Sequence, residues 1–240
     1  MQILITTSDK TMYALRGFAY LWVKYSQELA TTDIDVAGYS PLPFELPKNF
    51  HYHSLGEFKD YPVNKWTDGF LKALDTSTDP IVMCLFDDYF LMRLVDTRAI
   101  YLAERYMYAN PNTVRFDLSG DRLYSEGIKD CGYMGHYDLI CSNANIPYHF
   151  SLQAGLWRRD LLKQVIVKGE TPWICEMSGT DRLREHPDWS VVSTRQVPMK
   201  YLIAYQGGKL ALDGGYQSPR LQVNEFDIQT LGKLGYLENL

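Results

Sequence analysis

The 240-residue chain is 46% hydrophobic and 22% charged, which is typical of a globular protein with one large domain or one domain and a small appendage. Its net charge of −5 weakly disfavours a protein that binds nucleic acid through the phosphate backbone, although a local basic patch is compatible with that total. No apolar run is long enough to predict a transmembrane segment.

The first forty residues alternate between strand and helix patterns. Residues 2–6 (QILIT) predict a short strand, and a polar loop from Thr7 to Lys10 follows it. Apolar residues then recur at helical spacing from Thr11, and residues 34–39 predict a second strand. This order is the opening βαβ unit of a nucleotide-binding α/β domain. Because no G-x-G-x-x-G or phosphate-binding P-loop is present, a plain Rossmann dehydrogenase or NTPase is disfavoured.

An unbroken apolar run leads into two adjacent acids. Residues 81–86 (IVMCLF) predict a strand that is buried on both faces, and Asp87 and Asp88 follow it directly. Ligands of open α/β sheets bind outside the carboxyl ends of the strands, where two like charges would attract a cation. Mg²⁺ and Mn²⁺ prefer oxygen ligands and commonly share them with phosphates. The alternative is that the two acids only begin a loop or cap a helix.

The remaining pattern predicts further helices and short strands. Before the acid pair we expect a strand over 50–55 and a helix over 63–74. After it we expect a helix from Thr97 to Asn110, a hairpin or a strand with a tight turn over 113–124, an aperiodic loop over 125–145, an edge strand over 148–156 and a helix over 158–167. Further along we expect a helix from Pro172, short strands over 190–194 and 200–205, a loop or hairpin bracketed by Gly207-Gly208 and Gly214-Gly215, and a closing helix within 224–240.

The predicted helix from Pro172 brings an aromatic and an acidic side chain together. Trp173, Glu176 and Thr180 fall on one helical face. A tryptophan beside a carboxylate suits sugar binding combined with base chemistry. The alternative is a half-buried tryptophan beside a solvated glutamate that the helix dipole favours near the helix start.

The cysteines and the amino terminus predict a cytoplasmic protein. The four cysteines, Cys84, Cys131, Cys141 and Cys175, form no C-x-x-C pair, so we expect reduced thiols and neither a disulfide framework nor a zinc site. The amino terminus lacks the basic and apolar regions of a signal peptide.

Three motifs in order resemble the GT-A class of sugar-nucleotide-dependent glycosyltransferases, and more closely a bacterial and phage group of small glycosyltransferase-like proteins. The motifs are residues 79–91 (DPIVMCLFDDYFL), residues 151–159 (SLQAGLWRR), and Pro172-Trp173 with Glu176 and Ser178-Gly179-Thr180. The resemblance covers about residues 1–190 and implies an α/β fold, with a GT-A-like Rossmann-type mixed sheet flanked by helices. Residues 191–240 match no named family, and we expect them to complete the same domain as strands, a glycine-rich loop and a tail.

The resemblance also implies the parts of a site. The acid motif is Asp87-Asp88 instead of the usual D-x-D, so which acid meets the metal is open. The resemblance places Asp88 nearest a Mn²⁺ or Mg²⁺ ion and Asp87 nearer the ribose or sugar of the donor. We assign donor binding to Thr6, Thr7, Ser8, Lys10, Lys65, Trp66, Asp87, Ser151, Gln153, Trp157 and Trp173. Ser151, Gln153 and Trp157 would line the sugar and acceptor cleft.

The implied reaction moves a sugar, as a hexosyltransferase does, from a UDP- or GDP-sugar to an acceptor hydroxyl. The metal would stabilise the diphosphate leaving group, and a carboxylate would take the hydroxyl proton. We choose Glu176 as that base and Asp181 as the reserve, although Asp181 could instead pair with Arg182 or Arg184. If Glu176 lies opposite the diphosphate, the transfer inverts the anomeric centre. The acceptor could be a glycan, a lipid-linked glycan, a protein or a modified nucleobase.

Two other functions stay open. A nucleotidyltransferase shares the α/β layout and the paired acids, but the absence of a glycine-rich phosphate loop after the first strand counts against it. A non-catalytic nucleotide- or sugar-binding module would use the same clefts without chemistry.

Overall fold

A computed structural model describes residues 1–123, 125, 127–206, 209–211 and 224–237. The strands are β1 Gln2–Thr6, β2 Ile34–Gly38, β3 Phe50–Ser54, β4 Ile81–Phe86, β5 Tyr89–Leu91, β6 Thr113–Asp117, β7 Lys129–Met134, β8 Tyr137–Cys141, β9 Gly155–Arg158, β10 Ser190–Thr194, β11 Tyr201–Ile203, β12 Tyr205–Gln206 and β13 Lys209–Leu210. The helices are α1 Ala14–Tyr25, α2 Trp66–Asp75, α3 Thr97–Ala109, α4 Arg159–Val165, α5 Pro172–Arg184 and α6 Glu225–Lys233. No helix in these ranges is long and apolar enough to cross a membrane.

Nine of the strands form one mixed sheet in the order β3-β2-β1-β4-β9-β6-β10-β8-β7. Strands β3, β2, β1 and β4 are parallel, β9 runs antiparallel between β4 and β6, and β10 is parallel to β6. Thr6 is paired with Ala37 on one side and with Phe86 on the other, so β1, β2 and β4 end together. The residues that follow these strands therefore meet at one edge of the sheet.

Alternation along the central strands builds a separate core on each face of the sheet. Ile3 and Ile5 of β1 face a core that includes α1 and α3, whereas Leu4 faces a core that includes α2, α4 and α5. In β4, residues 81, 83 and 85 belong to the first core and residues 82 and 84 to the second. The strand is apolar throughout because helices cover both of its faces.

Several elements agree with the sequence patterns. Strands β1, β4 and β10 have the predicted bounds, and α5 begins at Pro172 as predicted. The Thr171 side chain accepts a hydrogen bond from Ile174 N and caps α5, while Asp96 caps α3 by accepting from Ala99 N. The predicted closing helix is present as α6, and residues 238–240 lie outside the described residues. Most of the predicted glycine-bracketed segment, including all four glycines, also lies outside them.

The prediction of an aperiodic loop over residues 125–145 is wrong, because β7 and β8 form an antiparallel hairpin there. Five of the six β7 residues are exposed, so this edge strand has no apolar alternation to detect. The pairing also shifts between Asp130 and Gly132, which breaks the period of two. Gly135 turns the chain between the strands with a φ of +64°.

The predicted edge strand over residues 148–156 is also wrong. Residues 148–154 are irregular, and the short strand β9 begins only at Gly155. It lies in the middle of the sheet, between β4 and β6. A Cβ atom at position 155 would lie 2.9 Å from Arg115 Nε, so the glycine allows this buried arginine to pass.

The prediction of four reduced thiols is wrong for two of the cysteines. Cys131 and Cys141 form a disulfide within the β7–β8 hairpin, whereas Cys84 and Cys175 are free and buried. The two partners are ten residues apart in sequence, and the hairpin pairing that brings their Cα atoms to 5.9 Å was not predicted. The disulfide removes one of the observations that supported a cytoplasmic location.

Candidate functional site

The two acids form the turn between β4 and β5. The backbone fixes this turn on both sides. Asp87 N donates to Thr6 O at 3.4 Å, and Asp88 O accepts from Ala204 N at 2.8 Å and from Tyr205 N at 3.1 Å. The acid pair is therefore held between the end of β1 and the segment that follows β11.

The environments of the two carboxylates differ. Asp87 is 3% exposed and accepts a hydrogen bond from the Thr7 hydroxyl, whereas Asp88 is half-buried. Burial raises the pKa of Asp88 to about 6. Burial, with a further contribution from the neighbouring Asp88 charge, raises the pKa of Asp87 well above its usual range. Within the described residues neither acid forms an ion pair with a Lys, Arg or His side chain.

The residues at this turn fit a divalent cation. Two adjacent carboxylates that lack a protein counter-charge would each be stabilised by a bound metal. The described residues contain no cluster of three or more His, Cys, Asp or Glu side chains that could enclose a metal on its own. Such an ion would therefore complete its shell with water and substrate oxygens, as Mg²⁺ and Mn²⁺ commonly do. Asp88 is the more accessible ligand, and the metal assignment stays a prediction.

A cleft of about 210 Å³ lies beside the acid turn. It brings together seven residues that were assigned to donor or metal binding: Thr6, Thr7, Ser8, Lys10, Trp66, Asp87 and Asp88. Aromatic side chains form much of the remaining wall: Tyr39, Phe58, Tyr61, Phe70 and Phe86. Lys65 is exposed immediately before Trp66 and is not part of this lining. We call this space the acid cleft.

The loop after β1 is held in place by neighbouring segments. Asp9 accepts hydrogen bonds from Ser40 N at 3.0 Å and from Ser40 Oγ at 2.5 Å. Thr7 N donates to Ala37 O at 2.9 Å. Two loops at the carboxyl edge of the sheet are thus joined, and the polar groups of residues 6–10 are positioned against the acid turn.

A larger cleft of about 840 Å³ lies between α5, the loop that precedes β9 and the segment around β11. Its lining includes Asp121, Ser151, Gln153, Glu176 and Tyr201. Three residues predicted to lie at the site, Ser151, Gln153 and Glu176, therefore share this space. We call it the carboxylate cleft.

Glu176 is oriented by the loop opposite its helix. Its Oε1 accepts a hydrogen bond from Leu152 N at 2.7 Å, and no described residue donates to its other oxygen. Burial raises the pKa of Glu176 above its usual value. A fixed, partly buried carboxylate with a free oxygen is chemically suited to accept a proton.

Three other residues with predicted roles line neither cleft. Trp157 is 1% exposed and packs in the core, with the Arg115 guanidinium carbon 5.1 Å from its ring centroid. The prediction that Trp157 lines the sugar and acceptor cleft is therefore corrected, because its strand β9 is central. Trp173 is 66% exposed on the outer surface of α5. Asp181 forms the alternative ion pair with Arg184, at 2.6 Å.

A buried ionic cluster under the carboxylate cleft was not predicted. Arg122 donates to Asp117 at 3.2 Å and to the Tyr148 carbonyl at 2.6 Å, and Arg115 donates to the Gln153 carbonyl at 2.9 Å. Both arginines are almost completely buried. They anchor the two ends of the irregular segment that carries Ser151 and Gln153. The sequence offered no signal, because the partners are up to 38 residues apart.

Two stacked tyrosines connect residues of the acid cleft with residues of the carboxylate cleft. Tyr89, which follows Asp88, stacks on Tyr201 with ring centroids 5.0 Å apart. The Tyr201 hydroxyl accepts from Phe86 N at 2.8 Å and donates to Phe86 O. Gln153 Nε2 donates to the Tyr89 hydroxyl at 2.8 Å. The acid turn is therefore connected to the loop that positions Glu176.

No protein-family model and no curated protein matches this sequence. Solved structures do match. S. aureus TarS residues 1–349 aligns with a TM-score of 0.52 at 9% identity, covering 84% of this chain and 60% of that one. The same region in complex with UDP-GlcNAc aligns with a TM-score of 0.52 at 11% identity, covering 88% and 60%. The longer TarS structure gives a TM-score of 0.51 at 10% identity, covering 90% and 38%.

These similarities establish the fold. The chain spans about 60% of the length of the TarS 1–349 structures that it matches, and at identities near 10% the similarity shows the fold alone. The mixed α/β sheet flanked by helices is GT-A-like, and the fold class predicted from the sequence is confirmed.

Proposed function

We propose that this protein is a glycosyltransferase that moves a sugar from a nucleoside diphosphate sugar to an acceptor hydroxyl. The acid cleft would hold the nucleotide and the diphosphate, and the carboxylate cleft would hold the donor sugar and the acceptor. Two of the similar TarS structures are complexes, one with UDP and one with UDP-GlcNAc, which supports a UDP-sugar as the first donor to test.

The observation that carries this proposal is that the same pair of stacked tyrosines, Tyr89 and Tyr201, connects two unlike acidic sites. One site has paired carboxylates that form no ion pair with a described Lys, Arg or His side chain, and it suits a cation with a diphosphate. The other has a single carboxylate with a free oxygen and a raised pKa, and suits proton removal. A sugar transfer needs both functions, one at the leaving group and one at the nucleophile.

In this proposal the acidic residues of the two clefts have different roles in the transfer. Thr7 orients Asp87 through its hydroxyl, which leaves Asp88 as the principal metal ligand. A bound Mn²⁺ or Mg²⁺ would neutralise the charge that develops on the diphosphate. Glu176 would take the proton of the acceptor hydroxyl, and the Leu152 N–H would keep its carboxylate in place. If the hydroxyl attacks from the side opposite the diphosphate, the anomeric configuration inverts.

A donor panel without an acceptor provides the decisive test. The protein is incubated with UDP- and GDP-sugars and Mn²⁺, and release of UDP or GDP is measured. We expect slow hydrolysis of one donor, lost in EDTA and strongly reduced in Asp88→Asn. Binding of the same donor without release of the nucleoside diphosphate, in the presence of candidate acceptors, would identify a binding module instead.

A pyrophosphate-release assay on the same protein distinguishes a nucleotidyltransferase from a glycosyltransferase. That enzyme would release pyrophosphate from a nucleoside triphosphate and a sugar 1-phosphate, and would form the nucleotide sugar. We expect no pyrophosphate from UTP, CTP or GTP with sugar phosphates. Release that depends on Asp88 would overturn the proposed reaction while keeping the cation site.

A further inference from the structure

The lining of the carboxylate cleft includes two cations that form no ion pair with a described carboxylate. Arg93 and Lys200 both belong to its lining, away from the acid turn. Arg93 donates only to the Val197 carbonyl, at 3.0 Å, and Lys200 makes no side-chain hydrogen bond or ion pair with a described residue. By contrast, the Arg122 guanidinium in the same cleft lies 3.2 Å from Asp117 and 3.4 Å from Asp121. Two cationic side chains are thus available to a ligand.

These cations are adjacent through the backbone and remote from the acid pair. Met92 N, which directly precedes Arg93, donates to Lys200 O at 3.0 Å. Strand β5 extends from Tyr89 to Leu91, so Met92 lies roughly 13 Å along the chain from Asp88 at about 3.3 Å per residue. A diphosphate held at Asp88 would occupy the other end of this path. That separation along the chain leaves the two cations for a different group.

We propose that Arg93 and Lys200 bind an oxyanion, a phosphate or carboxylate, carried by the acceptor at a distance from its attacking hydroxyl. This assignment rests on the proposed function, because it takes the carboxylate cleft as the acceptor site. The lining carries both signs of charge on different elements, with Glu176 on α5 and the two cations beside β5 and β11. A hydroxyl compound with an anionic group would be oriented by that charge separation, whereas a neutral sugar would gain nothing from it.

Calorimetry with small probes tests this binding without requiring any turnover. The probes are glucose 6-phosphate, glucuronate and glucose, which separate phosphate, carboxylate and neutral chemistry. They are titrated into the whole protein, with UDP and Mn²⁺ present. We expect at least one anionic probe to bind about tenfold more tightly than glucose, and the advantage to decrease with added salt. The double variant Arg93→Gln/Lys200→Gln should lose that advantage while its affinity for glucose and UDP stays unchanged.

Two control variants keep the test specific. Arg98→Gln/Lys168→Gln removes the same charge from exposed positions outside the cleft and should behave as wild type. Arg93→Lys/Lys200→Arg retains both charges and should retain the anionic preference.

Equal binding of all three probes to wild type would overturn the proposal, as would equal losses in the double variant and the exposed control. Weakened UDP affinity in the double variant would show that these cations hold the donor. If donor hydrolysis fails while the anionic preference persists, only the proposed function is refuted.

Discussion

The substitution Glu176→Gln tests the proposed base with little disturbance to the fold. The glutamine carbonyl can still accept the hydrogen bond from Leu152 N, which lies 2.7 Å from Glu176 Oε1. The amide cannot take a proton at neutral pH. We therefore expect the variant to fold and to bind the donor as wild type does, and to lose turnover with an acceptor.

The expected loss follows from the role of a positioned base, which typically contributes about 10²–10⁴-fold in rate. Because burial raises the pKa of Glu176, the wild-type rate should also fall as the pH is lowered through that raised pKa, where the carboxylate becomes protonated. The residual rate of the variant should not show this decrease at low pH, which we call the acid limb. Turnover at saturating donor is measured across a pH series, together with the affinity for the nucleotide.

Glu185→Gln provides the matched control, since it removes the same charge from an exposed residue at the end of the same helix. It should keep full turnover and the acid limb. The reasoning is refuted if Glu176→Gln retains turnover at saturation while donor affinity collapses, because Glu176 would then hold the donor sugar. If neither quantity changes, Glu176 is only a partly buried helix residue, and Asp181 becomes the base to test.

Three further predictions use other parts of the chain. Asp88→Asn should reduce UDP affinity in Mn²⁺ to the value that wild type shows in EDTA; calorimetry that finds wild type equally tight in both conditions would contradict the metal assignment. Alkylation of the unfolded, unreduced protein should add two labels, at Cys84 and Cys175, and reduction should raise the number to four; four labels without reductant would exclude the disulfide. Burial, with Arg122 and Arg115 nearby, lowers the pKa of His149 to about 4. As the pH falls, His149 therefore takes up a proton in the unfolded chain before it does so in the folded protein. This difference should lower the free energy of unfolding by about 2 kcal/mol between pH 7 and pH 5. In urea titrations His149→Gln should lack that part of the pH dependence.

The sequence was most informative where a buried strand leaves an apolar run and the direction of parallel strands fixes where their ends meet. The apolar run over residues 81–86 predicted a strand covered on both faces, and the end of that strand was the expected place for a ligand site. The loop of residues 6–10 was placed beside them by the same rule, since parallel neighbouring strands end at one edge. In both cases a local pattern and a general topological rule were sufficient.

The errors occur where the structure depends on partners that are distant in sequence. Strand β7 is exposed along most of its length and shifted in register, so neither hydrophobicity nor alternation identified it. The disulfide was missed for the same reason, because it depends on that hairpin. Trp157 was assigned to the cleft from a motif, but the insertion of β9 between β4 and β6 makes it a core residue. Strand order is a property of the whole sheet and cannot be read from four residues.

The contact between Gln153 and Tyr89 explains how the two clefts could act in one reaction. Gln153 lies one residue after Leu152, whose N–H orients Glu176, and its own carbonyl accepts from the buried Arg115. Its side chain reaches Tyr89, which is covalently next to Asp88 and stacked on Tyr201. The carboxylate that we propose for the nucleophile and the carboxylates that we propose for the leaving group are thereby joined by one continuous set of packed and hydrogen-bonded groups. Such rigidity matters for a transfer, since the attacking oxygen, the anomeric carbon and the diphosphate must be aligned before the bond breaks.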